Sequence, residues 1–221
     1  MAETTPIEVL CTIDFPNELV QSWRAISPRL RITEIPTRRV EDIAEDIWQR
    51  VEVLYTDRVL PPPEMAPNLR WLQFHFAGVD FAASHPLLAR PDLIATTLSG
   101  AAAPQVAEYA LTALLALAHR MPAVMKNQAK MEWPNDRWTR FVPRELRGST
   151  VGIIGYGSIG RELARLLQPF GCTVLAAKRD VFHPEDSGYL PEGMGDPEGS
   201  LFTRLYPIEA LGSMLKTCDF A

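Results

Sequence analysis

Thr150-Val-Gly-Ile-Ile-Gly155-Tyr-Gly157-Ser-Ile-Gly160-Arg-Glu-Leu-Ala-Arg-Leu-Leu167 carries a strand, a glycine turn and a helix in direct succession. An apolar run, Thr150 to Ile154, reads as a β-strand. A G-x-G-x-x-G turn follows it directly, and an amphipathic helix from Ser158 to Phe170 opens out of the turn. The three glycines do different things. Gly155 permits the tight turn, Gly157 lets the backbone approach a pyrophosphate without a Cβ in between, and Gly160 lets the helix lie close to the strand. The helix N-terminus adds free N–H groups and a partial positive charge. Such a turn alone is a weak signal; its place between strand and helix is what the mechanism requires. The expected dinucleotide contacts are Gly155, Tyr156, Gly157, Ser158, Ile159 and Gly160. Ile159, Leu163, Leu166, Leu167 and Phe170 should face the sheet, with Arg161, Glu162, Arg165 and Gln168 pointing outward.

The end of the next strand, Thr173 to Ala177, bears on the kind of dinucleotide. An NAD site usually carries Asp or Glu there, on the ribose 2′-OH. This strand ends in Lys178-Arg179-Asp180. A Lys-Arg pair attracts a 2′-phosphate, so the cofactor is read as NAD(P) with NADP favoured. The other reading leaves Lys178 and Arg179 as solvated charges and gives Asp180 the acid's role. Asp180 to Tyr206, rich in Gly, Pro, Asp and Glu, reads as a long surface insertion. Pro207 to Cys218 reads as a helix, and Asp219-Phe220-Ala221 as the start of a third strand.

Upstream, strand and helix signals alternate. Strands are expected at Glu8–Ile13, Arg31–Ile35, Val51–Tyr55, Trp71–Phe76 and Leu93–Leu98, and helices at Pro16–Ile26 and Glu41–Gln49. This alternation argues for parallel α/β sheets. Val106 to Arg120 is nearly continuous in Ala and Leu and reads as a helix buried on most faces, with a domain boundary near its start.

Composition narrows the function classes. The 221 residues are 47% hydrophobic and 22% charged, enough for a real core, and the net charge of −5 argues against nucleic acid. The longest apolar stretch, Ala110 to Ala118, is too short to span a bilayer. The N-terminus has no signal-peptide pattern, and Cys11, Cys172 and Cys218 are spaced for neither disulfides nor metal. The expectation is a reduced, cytoplasmic protein with no metal site and no membrane partner.

Four segments together resemble the D-isomer-specific 2-hydroxyacid dehydrogenases. They are Asn68–Gln73 with Ala77-Gly78-Val79-Asp80, Gly100–Tyr109, Trp138 ahead of Arg144–Gly148, and Val151–Gly160. The resemblance implies a flavodoxin-like substrate-side domain at residues 1–103. A Rossmann dinucleotide-binding domain, incomplete at its C-terminal end, would occupy 104–221. It implies hydride transfer between nicotinamide and C2 of a 2-hydroxy or 2-oxo acid, whose carboxylate would meet the backbone at Ala77, Gly78 and Val79. It implies a homodimer at full length, with Trp133, Trp138 and Phe141 as surface candidates. The family's Arg, acid and His lie in segments beyond Ala221, so no catalytic residue is assigned. The expectation is a fragment, inactive and poorly stable alone, with an open edge on its first cofactor strand. A non-catalytic, dinucleotide-binding regulatory protein on the same fold is the alternative.

Overall fold

The computed structural model describes residues 5–186 and 188–221. Residues 1–4, part of the N-terminal stretch read for a signal, and Ser187, inside the 180–206 connection, lie outside the described residues. The chain divides into two compact units, Met1–Ser99 and Gly100–Ala221.

The first unit is a five-stranded parallel sheet. Its elements are β1 (Ile7–Cys11), α1 (Asn17–Ile26), β2 (Leu30–Glu34), α2 (Glu45–Arg50), β3 (Val53–Thr56), β4 (Trp71–Phe74) and β5 (Ile94–Thr96). The strand order is β2-β1-β3-β4-β5, the flavodoxin-like order. Pro16 precedes α1 with φ −55°, a value suited to helix entry. Leu10, Leu54, Leu72 and Phe74 from the sheet pack with Ile43, Trp48, Val51 and Leu87. Trp48 is fully buried, and its indole N–H donates to Val40 O at 3.3 Å, so its polar atom has a partner. Each such side chain contributes roughly 1.5–3 kcal/mol of burial. In a sheet of this kind ligands meet the C-terminal strand ends, and Ala77–Val79 follows the C-terminal end of β4.

The second unit opens with α3 (Ala103–Ala118), α4 (Met121–Ala129) and the single turn α5 (Arg137–Arg140). Then come β6 (Thr150–Ile154), α6 (Ser158–Leu167), β7 (Thr173–Lys178), β8 (Arg204–Pro207) and α7 (Leu211–Leu215). β6, β7 and β8 pair in parallel in that order. Leu146, Val151, Ile153, Ala164, Leu167, Val174 and Ala176 form the core, with Ala118 of α3.

Three expectations need correction. First, α3 is not buried on most faces: Tyr109 is 77% and Leu117 62% exposed within the chain, and its buried residues are Ala103, Ala107 and Ala118. Second, the segment read as one surface insertion contains β8, and Leu205 and Tyr206 of that strand pair with Ala176 and Ala177 of β7. Third, the C-terminal residues start a fourth strand position, not a third. Phe220 bridges Val151 on the other side of β6, and Gly152 N–H donates to Phe220 O at 2.8 Å. The spatial order is therefore β8-β7-β6-Phe220, which matches 3-2-1-4 of the dinucleotide fold. Asp219 secures this end: its carboxylate accepts from Thr150 N–H at 2.8 Å and pairs with Arg144. The edge of β6 expected to stand open is partly covered.

Candidate functional site

The sequence between β6 and α6 folds into a tight cradle. Gly155 has φ +98°, a left-handed conformation that strains any residue with a Cβ. Its N–H donates to Ala177 O at 2.9 Å, which fastens the turn to the end of β7. Gly160 is required for contact: a Cβ there would sit 2.3 Å from Gly155 O and 3.0 Å from Ile153 Cγ2. Gly157, the N-cap of α6, lies at φ −95° and ψ −161°, which any residue adopts. A Cβ at Gly157 meets no heavy atom within 4 Å. The space in front of this turn is open, and the glycine at 157 keeps it so.

Gly155, Gly157 and Ile159 are exposed, Ser158 is half-buried, and Tyr156 and Gly160 are buried. The exposed arc lies at the start of a ten-residue helix with no acidic residue in its first turn. The first N–H groups of a helix have no intrahelical acceptor, and no side chain caps them here. Backbone donors, a partial positive charge and a Cβ-free approach suit a pyrophosphate, so the residues present fit a dinucleotide.

The end of β7 lies beside this arc, since Ile154 pairs with Ala177. Lys178 Nζ donates to His183 O at 2.6 Å. Asp180 is engaged locally, accepting from Phe182 N–H at 3.0 Å and pairing with His183 Nδ1 at 2.7 Å. The hydrogen bond from His183 holds the Asp180 carboxyl below the usual carboxylate range, and Asp180 raises the His183 imidazole in turn. Arg179 is exposed.

Behind the cradle is a buried polar network that the helical spacing did not reveal. Arg161 and Glu162, expected to point outward, are 1% and 2% exposed. Arg161 donates to Asp196 O at 2.6 Å, to Glu185 O at 3.2 Å and to Pro184 O, and its Nε lies 3.4 Å from Asp186 Oδ2. Glu162 accepts from Gly195 N–H at 2.6 Å and pairs with Arg165. Tyr156, the middle residue of the G-x-G, is buried edge-on to Phe202 at 5.2 Å. Its hydroxyl donates to Asp196 Oδ2 at 2.6 Å. Tyr156 can therefore offer a ligand its backbone alone. Burial and the Asp196 carboxylate push the Tyr156 hydroxyl far above its ordinary range. Burial pushes the Asp196 carboxyl up, but Ser200 N–H, Tyr156, Leu201 N–H and Arg161 outweigh it and bring it below the ordinary value. The one clue in sequence is the density of turn residues in Gly193-Met-Gly-Asp-Pro-Glu-Gly199, which can mark an ordered loop as well as a loose one.

In the first unit, Ala77 and Gly78 are exposed and Val79 half-buried, ahead of a 3-10 turn at Asp80–Ala82. Among the described residues their N–H groups have no hydrogen-bond partner. The four histidines are spread over both units. His75 Nδ1 meets Tyr55 Oη at 3.0 Å, His85 accepts from Leu87 N–H, His119 is the exposed C-cap of α3, and His183 pairs with Asp180. Among the described residues no cluster of His, Cys, Asp and Glu could hold a metal, and no helix is long and apolar enough to cross a membrane.

A family model described as D-isomer specific 2-hydroxyacid dehydrogenase, NAD binding domain, matches residues 111–191. A D-lactate/D-glycerate dehydrogenase of Pediococcus acidilactici is 40% identical over 77 residues, 35% of this chain and 22% of that protein. The human glyoxylate reductase/hydroxypyruvate reductase is 34% identical over 116 residues, 47% of this chain and 31% of that protein. A solved D-isomer specific 2-hydroxyacid dehydrogenase family protein from Aeromonas salmonicida superposes with a TM-score of 0.73 at 26% identity, covering 97% of this chain and 62% of that one. The chain thus spans less than a third of these two curated relatives and under two thirds of the solved structure.

Proposed function

We propose that the chain, by its likeness to the D-isomer specific 2-hydroxyacid dehydrogenases, serves hydride transfer between a nicotinamide dinucleotide and C2 of a 2-hydroxy or 2-oxo acid. The bound dinucleotide supplies the hydride chemistry; the chain's own residues bind and orient. The observation that carries this reading is the exposed arc Gly155, Gly157, Ser158 and Ile159 at the N-terminus of α6, opening on space that a Cβ at 157 would enter. Its backbone donors would hold the pyrophosphate. Lys178 and Arg179, at the ribose end of β7, would favour the 2′-phosphate of NADP(H), with the Asp180 carboxylate occupied by His183. In the first unit, the N–H groups of Ala77, Gly78 and Val79, which have no partner among the described residues, would receive the substrate carboxylate.

We assign the Met1–Ser99 unit to the substrate side and the Gly100–Ala221 unit to the dinucleotide side. Trp133 and Trp138, both more than three-quarters exposed with Arg137 over each ring, are proposed as part of a homodimer surface in the whole protein. The whole protein is proposed to be cytoplasmic. One observation favours a second reading, a dinucleotide-binding module without turnover: among the described residues, the histidine paired with a carboxylate is His183, at the ribose end of β7.

Titration of the chain with NADPH and NADH, followed by nicotinamide fluorescence, tests the proposal. NADPH should bind more tightly, and Lys178→Asp should reverse the order. Equal affinities, or an unchanged order in Lys178→Asp, would remove the NADP assignment; no binding of either would remove the cradle itself.

A further inference from the structure

A crossover between parallel strands ordinarily runs through a helix. The connection from β7 to β8 does not: among the described residues, 179–203 contain no helix. It is nevertheless pinned. Gly199, at φ +67°, lies so close to Pro184 that a Cβ would sit 2.3 Å from Pro184 O, so the connection folds back on itself. Besides Lys178 Nζ on His183 O and Gln168 Nε2 on Leu201 O, it is anchored on the glycine turn and α6. Asp196 takes the Tyr156 hydroxyl, Arg161 takes the carbonyls of Asp196, Pro184 and Glu185, and Glu162 takes Gly195 N–H. The connection also reaches the front of the turn. A Cβ on Gly100 would sit 2.6 Å from Tyr189 O and 3.6 Å from Ser158 Oγ, so the Tyr189 backbone lies at the N-terminal end of α6.

The contacts therefore hold the turn from behind, through Tyr156, and border it in front, at Ser158. We propose that the β7–β8 connection is a working part of the dinucleotide cradle and that Asp196 is its positioning residue, fixing the Gly155–Gly157 turn through the Tyr156 hydroxyl. The inference rests on the reading of the turn as a pyrophosphate site. Tyr156 lies between the two glycines that face the open space, so an anchor on its buried side chain restrains the Cα shared by both flanking peptides. Freeing the ring from Asp196 loosens the N–H groups that must point at the phosphates. By linkage, a ligand that orders the turn must order the connection as well.

The test compares the 221-residue chain with Tyr156→Phe, which keeps the ring packing and deletes one hydroxyl, and with Asp196→Asn. Met214→Ala, on the opposite side of the sheet from α6, controls for general loss of stability. NADPH affinity is measured well below each Tm, and hydrogen exchange is followed at Gly188–Leu201 with and without NADPH. Tyr156→Phe and Asp196→Asn should each weaken NADPH binding about fivefold or more. Met214→Ala should leave the affinity unchanged while folded. Bound NADPH should slow exchange across Gly188–Leu201 in the parent chain, and less so in Tyr156→Phe. Parent-like affinity in Tyr156→Phe together with ligand-independent exchange in the connection overturns the inference. If the parent binds no dinucleotide, it is the pyrophosphate reading that fails.

Discussion

Tyr156 Oη and Asp196 Oδ2 lie 2.6 Å apart across 40 residues of chain, joining the glycine turn to the connection between β7 and β8. Asp196 also accepts from Ser200 and Leu201 N–H, at 2.9 Å each. The carboxylate is thus shared between the cradle and the chain that returns to β8.

Acid should loosen this junction. Asp196 and Glu162 are both held below the ordinary carboxylate range: Asp196 against its burial, by hydrogen bonds and Arg161, and Glu162 first by Arg165 and then by Gly195 N–H. A depressed folded-state value gives stability that is present above the unfolded value, about pH 4, and lost as pH falls through the folded one. The Tm should hold near neutral pH and drop from about pH 4 downward. Asp196→Asn should flatten that drop. A Tm independent of pH down to about 3 would contradict the assignment of these two carboxylates.

Arg161 separates a buried anchor from a surface charge. Its removal strands three carbonyl groups and Asp186. Arg161→Ala should cost roughly 3–5 kcal/mol in chemical denaturation. Arg50→Ala, which breaks an exposed pair with Asp46, should cost at most about 1 kcal/mol. Similar small losses for both would restore the outward-facing Arg161 that helical spacing suggests.

Gly160→Ala should damage fold and binding together. The new Cβ would meet Gly155 O at 2.3 Å, a backbone atom that cannot swing aside. Forcing one methyl into a packed contact costs about 1–3 kcal/mol, and here the displacement falls on the turn itself. Circular dichroism melting should show the loss. A Tm equal to the parent's would mean that α6 does not lie on β6 as closely as described.

Turnover is a separate matter from binding. Among the described residues, His75 meets Tyr55, His85 accepts from Leu87 N–H, His119 caps α3 and His183 pairs with Asp180. The expectation that the 221-residue chain binds NADPH without turnover is tested by following NADPH in the presence of a 2-oxo acid. NADPH consumption above background, proportional to protein concentration, would place a catalytic group within these residues.

The parts of the fold written in periodic residues were readable from sequence. Val151 to Gly160 announced the strand, turn and helix, and the alternating apolar runs of the first hundred residues announced the parallel sheet. Two kinds of feature were not readable. β8 is four residues long and half-buried, so Arg204-Leu-Tyr-Pro207 carries too little pattern to stand out from the loop before it. Arg161 and Glu162 look like solvent-facing helix residues because their charges are matched by carbonyls and an N–H from a distant, irregular segment. Helical spacing cannot report a partner 35 residues away whose contribution is backbone. The apolar run in α3 misled in the opposite sense, since Tyr109 and Leu117 are exposed within this chain.

Fold and binding should part company in Gly157→Ala. The backbone at 157 suits any residue, and a Cβ meets nothing within 4 Å. Gly157→Ala should leave the Tm unchanged or slightly raised and lower NADPH and NADH affinity about tenfold or more, as the methyl enters the space proposed for the pyrophosphate. Parent-like dinucleotide affinity in a folded Gly157→Ala chain would contradict the claim that this turn is the cradle.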